Sequence, residues 1–124
     1  MIDRFSTAFT AVATALHTAY STMLVHWKAP ASMTQFPAAI MQQTDNYEIA
    51  RDLSNSENAA VIGIQVDIYS NLDTGNLTQR QAIAAIIDTT LRGLKYHRTF
   101  YNTNMPNIEV TIERSTMRYE GIAV

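Results

Sequence analysis

Between Ile62 and Tyr69 apolar and polar residues alternate without a break, Ile62, Ile64, Val66 and Ile68 against Gly63, Gln65, Asp67 and Tyr69. A period of two sends successive side chains to opposite faces, so the segment reads as a strand with one face buried. Such a strand needs partner strands beside it and a covering layer above it. All of these must come from 124 residues, the size of one domain.

The covering layer is legible at both ends of that strand. Ile2, Phe5, Phe9, Val12, Leu16 and Ala19 recur in steps of three and four, which predicts an amphipathic helix over about residues 2–20. Ile83, Ile86, Ile87, Thr90, Leu91 and Leu94 do the same and predict a second helix over about 78–92. Thr78 with Gln81 reads as its capping box, and Gly93 sits where a left-handed cap is wanted.

Partner strands follow from β-branched and aromatic runs. Thr22–Trp27 predicts a first strand ending before Pro30, and Phe36–Gln43 a second, with Pro37 near its start. Asp45-Asn46 reads as a turn, with Tyr47–Arg51 as a further edge segment. Lys95–Tyr101 reads as strand, Asn102–Asn107 as a Pro-containing turn, and Ile108, Val110 and Ile112 as the start of a last strand. Beyond Arg114 the apolar phase moves to Met117 and Tyr119, which predicts a bulge or bend near Ser115. The expected fold is α+β, two helices packed on a mainly antiparallel sheet of four to five strands, in a single domain over residues 1–124.

Composition narrows the function classes. Charged residues are 16% of the chain against roughly 25% in an ordinary soluble domain, which suggests that part of the surface is covered by something other than water. Nine Lys and Arg against eleven Asp and Glu leave a net charge of −2, a poor basis for gripping nucleic acid through phosphates. With no cysteine there are no disulfides, thiolate metal sites or cysteine nucleophiles. No run approaches the ~18–20 apolar residues of a membrane helix, and the start lacks a basic-then-apolar leader, so a chain made in a cytoplasm is expected.

Candidate chemistry is sparse. His17, His26 and His97 lack ligand partners at helical or strand spacing, and no nucleophile elbow or phosphate-binding glycine loop occurs, so neither cofactor nor metal is expected. Asp67 stands in the middle of the central strand, where it is expected to face solvent or a neighbour beside Gln65. Were the chain a small enzyme or ligand-binding domain, Asp67, His97 and Tyr101 would be its polar group. Arg114 and Arg118, flanked by Glu113 and Glu120 and beside Tyr119, put mixed charge on the last strand, either as a solvated face or as a subunit contact.

The second half of the chain resembles a known family. Ser56-Glu57-Asn58-Ala59-Ala60, the strand Ile64–Asn71, Ile86-Ile87-Asp88 with Leu91, Arg98-Thr99-Phe100 with Asn102, and Arg114–Tyr119 are similar to the tail-terminator or tail-completion proteins of long-tailed bacteriophages, also described as minor capsid or head–tail joining proteins. The likeness covers about residues 56–120, and the N-terminal helix and Phe36-Pro37 strand agree in layout. It implies a non-enzymatic virion protein, a homo-oligomer closing into a ring, usually a hexamer, at the tail–neck junction. Its partners would be the tail tube protein below and the head connector above, with DNA passing through the lumen unbound. A connector or stopper protein of the same neck is the nearest alternative.

On that reading Arg114, Arg118 and Tyr119 are expected in the ring interface. The loops carrying Leu72, Asp73 and Asn76, and Asn104 and Met105, are expected to contact tube or connector.

Overall fold

The computed structural model describes residues 2–28, 36–51, 57–71, 77–105 and 112–123. Its order is helix α1 (Phe5–Ala19), strands β1 (Leu24–His26), β2 (Ala38–Arg51) and β3 (Glu57–Asn71), helix α2 (Leu77–Gly93), and strands β4 (His97–Met105) and β5 (Ile112–Ala123). The strands form one mixed sheet in the order β1-β2-β3-β5-β4, antiparallel except for the β1–β2 pair. The fold is therefore α+β with a mainly antiparallel sheet.

Both helices lie on one face of the sheet. Ala8, Val12 and Leu16 of α1 and Ile83, Ala84, Ile87 and Leu91 of α2 share one core with the even positions Ile62, Ile64, Val66 and Ile68 of β3. α1 starts at Phe5 rather than near residue 2 because the Asp3 carboxylate accepts the Phe5 N–H (3.1 Å), organising the chain into a turn before the helix. The first strand is shorter than Thr22–Trp27 implies. A turn bonded from Met23 N–H to the Tyr20 carbonyl occupies the preceding residues, and β1 pairs only from Leu24 to His26.

Further local expectations are corrected. Asp45 and Asn46 form no turn. β2 runs through them, with Asp45 opposite Gly63 and Asn46 opposite Ile62, and the extra residue Thr44 is absorbed as a bulge between Gln43 and Asp45. Gly63 makes room for it, since a Cβ there would lie 2.6 Å from the Thr44 hydroxyl. The bulge exchanges the faces of β2, turning Asn46 inward, where its amide donates to the Ile2 carbonyl (2.8 Å).

β5 carries no bulge at Ser115 in its pairing with β3, whose register is continuous from Ile112 opposite Asn71 to Ala123 opposite Ala60. The odd positions Glu113, Ser115, Met117, Tyr119 and Gly121 all face the helices. The apparent change of phase arises because the first two of these are polar. The irregularities are in the β4–β5 ladder, between Arg98 and Phe100 and between Asn102 and Met105, and the second lies opposite Ser115 with the extra residue on β4.

The predicted turn at Asn102–Asn107 begins too early, because β4 continues to Met105, which pairs with Arg114. Residues 106–111, including Ile108 and Val110, lie outside the described residues. Finally, Gly93 is the last residue of α2 and has no positive φ, and Lys95 takes the left-handed turn at φ 73°. Tyr96 N–H bonds to the Leu91 carbonyl and Lys95 N–H to the Arg92 carbonyl (both 3.0 Å), the paired bonds of a Schellman cap. Its usual apolar contact is met by Leu91 and Tyr96, both in the core. At the other end α2 begins at Leu77, so Thr78 lies inside the first turn and not at the cap.

Candidate functional site

Three polar constellations stand out, two on the helix side of the sheet and one on its other side. The first centres on Arg80. It falls three and seven residues before Ile83 and Ile87, on the apolar stripe of α2, and is only 1% exposed. A buried guanidinium must have its donors satisfied. Nε donates to the Ser115 hydroxyl (3.0 Å), Nη1 to the Ser70 hydroxyl (2.8 Å) and the Glu113 carboxylate (2.5 Å), and Nη2 to the Thr103 carbonyl (3.3 Å). One side chain thereby ties α2 to β3, β5 and β4. Serine at 70 and 115 and glutamate at 113, all on the core face, are there because arginine is.

The second constellation surrounds Asp88, in a shallow depression of about 320 Å³ whose lining includes Gln81, Ala84, Arg98, Tyr101 and Met117. The Tyr119 hydroxyl donates to Oδ1 (2.6 Å), Arg92 Nε to Oδ2 (2.8 Å), and Arg98 lies 3.7 Å from Oδ1 and over the Tyr101 ring. Burial works against the carboxylate, but the Tyr119 hydrogen bond, Arg92 and Arg98 together outweigh it and hold the Asp88 pKa below its ordinary value. The same contact acts in reverse on Tyr119, whose phenol is pushed up by burial and then by Asp88. An anchored, ionised carboxylate of this kind is suited to holding cations in place.

The third constellation lies on the face that no described element covers. Arg118 stands over the Phe100 ring at 4.9 Å and donates from Nε to Gln65 (3.1 Å). Gln65 donates in turn to Asp67 (3.1 Å), whose other oxygen accepts from the Thr116 hydroxyl (2.6 Å). Asp67 is 6% exposed, so it is buried rather than solvated, and the neighbour expected beside Gln65 is the one it has. Burial and then Asp67 raise the Tyr69 pKa, opposed by a hydrogen bond from Arg114.

The residues singled out in sequence are distributed among these places. Arg114 and Arg118 share the face away from the helices, with Arg118 exposed and Arg114 half-buried. Tyr119 is turned to the opposite face and is 1% exposed, so the three do not form one patch. Asn104 is exposed and Met105 half-buried at the end of β4, while Leu72, Asp73 and Asn76 lie outside the described residues. Asp67, His97 and Tyr101 do not converge. Asp67 and Tyr101 are on opposite faces, and His97 pairs with Glu120 at the far end of β5 from Thr116.

His17 donates from Nε2 to the Met23 carbonyl (2.9 Å), and His26 accepts from Lys28 N–H and stacks on Trp27. Among the described residues no group of three or more His, Asp or Glu is placed to hold a metal, and no helix is long and apolar enough to cross a membrane.

Arg80 and Asp88 are what sequence reasoning missed. The available signals were a charge on the apolar stripe of α2 for Arg80, and for Asp88 the four-residue spacing to Arg92. No protein-family model matches the chain, and no curated protein is significantly similar to it.

Proposed function

We propose that the chain is a tail-terminator subunit of a long-tailed bacteriophage. In this reading it is a non-enzymatic virion protein that closes into a ring, hexameric as in the family it resembles, at the head-proximal end of the tail tube. It stops tube growth and offers the head connector a docking surface, with DNA passing through the lumen. The observation that supports the reading is the unlike make-up of the two sheet faces. Both helices pack on one face, and the other carries an exposed Arg118 with half-buried Phe100, Tyr69 and Arg114 around a buried, satisfied Asp67. A ring of identical subunits joins two different patches, and this protomer has two different sheet faces and two different sheet edges to offer. The 16% charged content and net charge of −2 agree with a surface that meets protein and lets DNA slide.

The test is the mass of the purified protein across concentration by light scattering, with negative-stain imaging of large species. Annular particles of about six subunits are expected. Arg118→Glu is expected to break them while the protomer keeps its circular-dichroism spectrum. A strict monomer at high concentration counts against a ring that forms unaided and favours a connector that assembles only on its template.

A further inference from the structure

The sheet ends in two unlike edges. β4 pairs with β5 alone, and β1 flanks β2 only over Ala38–Ile40, so no other described strand flanks β2 on that side beyond Ile40 or β4 on its outer side. Open rows of backbone N–H and C=O are templates for another strand. Their directions are compatible. β2 opposes β3, β3 opposes β5 and β5 opposes β4, so β4 runs antiparallel to β2. A second copy set beside the first with its strands on the same axis therefore brings the two edges together antiparallel.

The cross-sheet rows also line up, since Asp45, Gly63, Glu120 and His97 stand in one row from edge to edge. The exposed side chains near its two ends differ. β2 presents Asp45 and Glu48, and the corner leading into β4 presents Lys95 and His97, with Arg98 drawn to Asp88 on the helix side and a half-buried Glu120 across from His97. Apolar surface accompanies both. Tyr47 is 53% and Ile49 49% exposed on β2, and Leu94 and Ile122 are exposed near the corner, at 37% and 64%. Beside that corner a hollow of about 270 Å³ is lined by Arg4, Leu94, Lys95, Tyr96 and Ile122 among others, two cations over an apolar floor.

We infer that a second copy of this chain docks edge to edge, with residues 45–49 of its β2 against the Leu94–Arg98 corner and the start of β4. The contact is heterologous, so it repeats from copy to copy and closes by rotation. This rests on the ring reading above and adds an edge contact to the Arg118 surface assigned there. Bulges at Thr44 and between Arg98 and Phe100 keep the paired run short, so charge and side-chain fit, more than a long ladder, set the specificity.

The chain has no cysteine, so introduced thiols report a single contact. Asp45→Cys and His97→Cys proteins are made separately, mixed and oxidised with glutathione disulfide. Covalent dimers are expected in the mixture well above either variant alone, and a ladder of covalent oligomers in the doubly substituted chain. Independently of register, Asp45→Lys is expected to lower the assembled mass, and adding Lys95→Glu and His97→Glu to it to restore that mass. Either the disulfide or the charge-swap rescue supports the pairing. If wild type assembles and neither is seen, the edge contact is overturned and the ring stands on another surface. If wild type stays monomeric at every concentration, self-pairing and the unaided ring fall together.

Discussion

At the start of α2 a single side chain, Arg80, reaches three strands, whereas at the end of the same helix the backbone closes on itself. The first attachment uses two hydroxyls, one carboxylate and one carbonyl. The second uses the Leu91 and Arg92 carbonyls, with Leu91 and Tyr96 in the core beneath them. Polar fastening of the first kind is directional, and when the guanidinium is lost its partners must be satisfied elsewhere. Backbone fastening of the second kind asks little of side-chain identity beyond a residue that tolerates a left-handed turn.

Removing the guanidinium is the strongest way to break this contrast. Arg80→Ala leaves a void beside Ser70 and Glu113 and removes one of the bonds of the Ser115 hydroxyl, which still donates to the Thr103 carbonyl (2.6 Å), and a loss of about 3–5 kcal/mol is expected in urea unfolding. A loss below about 1 kcal/mol would mean the hydroxyls find other partners and Arg80 fastens nothing. Glu113→Gln then separates charge from geometry. The Glu113 side chain is 34% exposed, so solvent already screens the pair, and about 1–2 kcal/mol is expected. A loss equal to that of Arg80→Ala would assign the attachment to the ion pair alone.

The same contrast explains what could be read from sequence. The Ile62–Ile68 alternation and the stripe of α2 are apolar patterns, and they place β3, the helix layer and the α+β class without further information. The places where the reading failed are those where a polar residue occupies a core-facing position. Glu113 and Ser115 look like a change of phase because nothing in β5 itself announces that Arg80 lies opposite. Tyr119 looks like a companion of Arg118 because their adjacency in the chain hides that they point to opposite faces. Asp45-Asn46 has the composition of a turn, and only Gly63, 18 positions later, makes the space that lets the strand bulge and continue. Gly93 has the composition of a cap, but the two bonds to Leu91 and Arg92 place the turn at Lys95. The network of Arg118, Gln65, Asp67 and Thr116 needed the β3–β5 register, which no local pattern encodes.

Between the two ends of α2 lies Asp88, and it sharpens the comparison by adding a pH dependence. Its pKa is held low in the fold, so its contribution to stability is present above the unfolded value near 3.9 and is lost as pH falls through the lower folded value. The Tyr119 hydroxyl is one of the groups that hold it there. Tyr119→Phe is expected to cost about 1 kcal/mol near neutral pH and to make the loss of stability on acidification shallower than in wild type. Parallel acid profiles for the two proteins would disconnect the phenol from the titration.

The smallest expected effect is a gain, at the backbone-fastened end. Lys95 holds φ 73°, a conformation that costs an L-residue with a side chain about 1 kcal/mol and glycine almost nothing. Lys95→Gly relieves that strain but gives the unfolded chain more freedom, and it removes a cation from beside the last carbonyls of α2. The balance is expected to favour the substitution by about 0.5 kcal/mol, whereas Lys95→Ala, which keeps the Cβ, is expected to gain nothing. The pair is informative because both remove the same charge. Equal stability of the two variants would mean that the turn carries no strain and that the closing bonds from Lys95 and Tyr96 set its shape unaided. A gain for glycine alone places the cost in the backbone, where the contrast with Arg80 requires it to be.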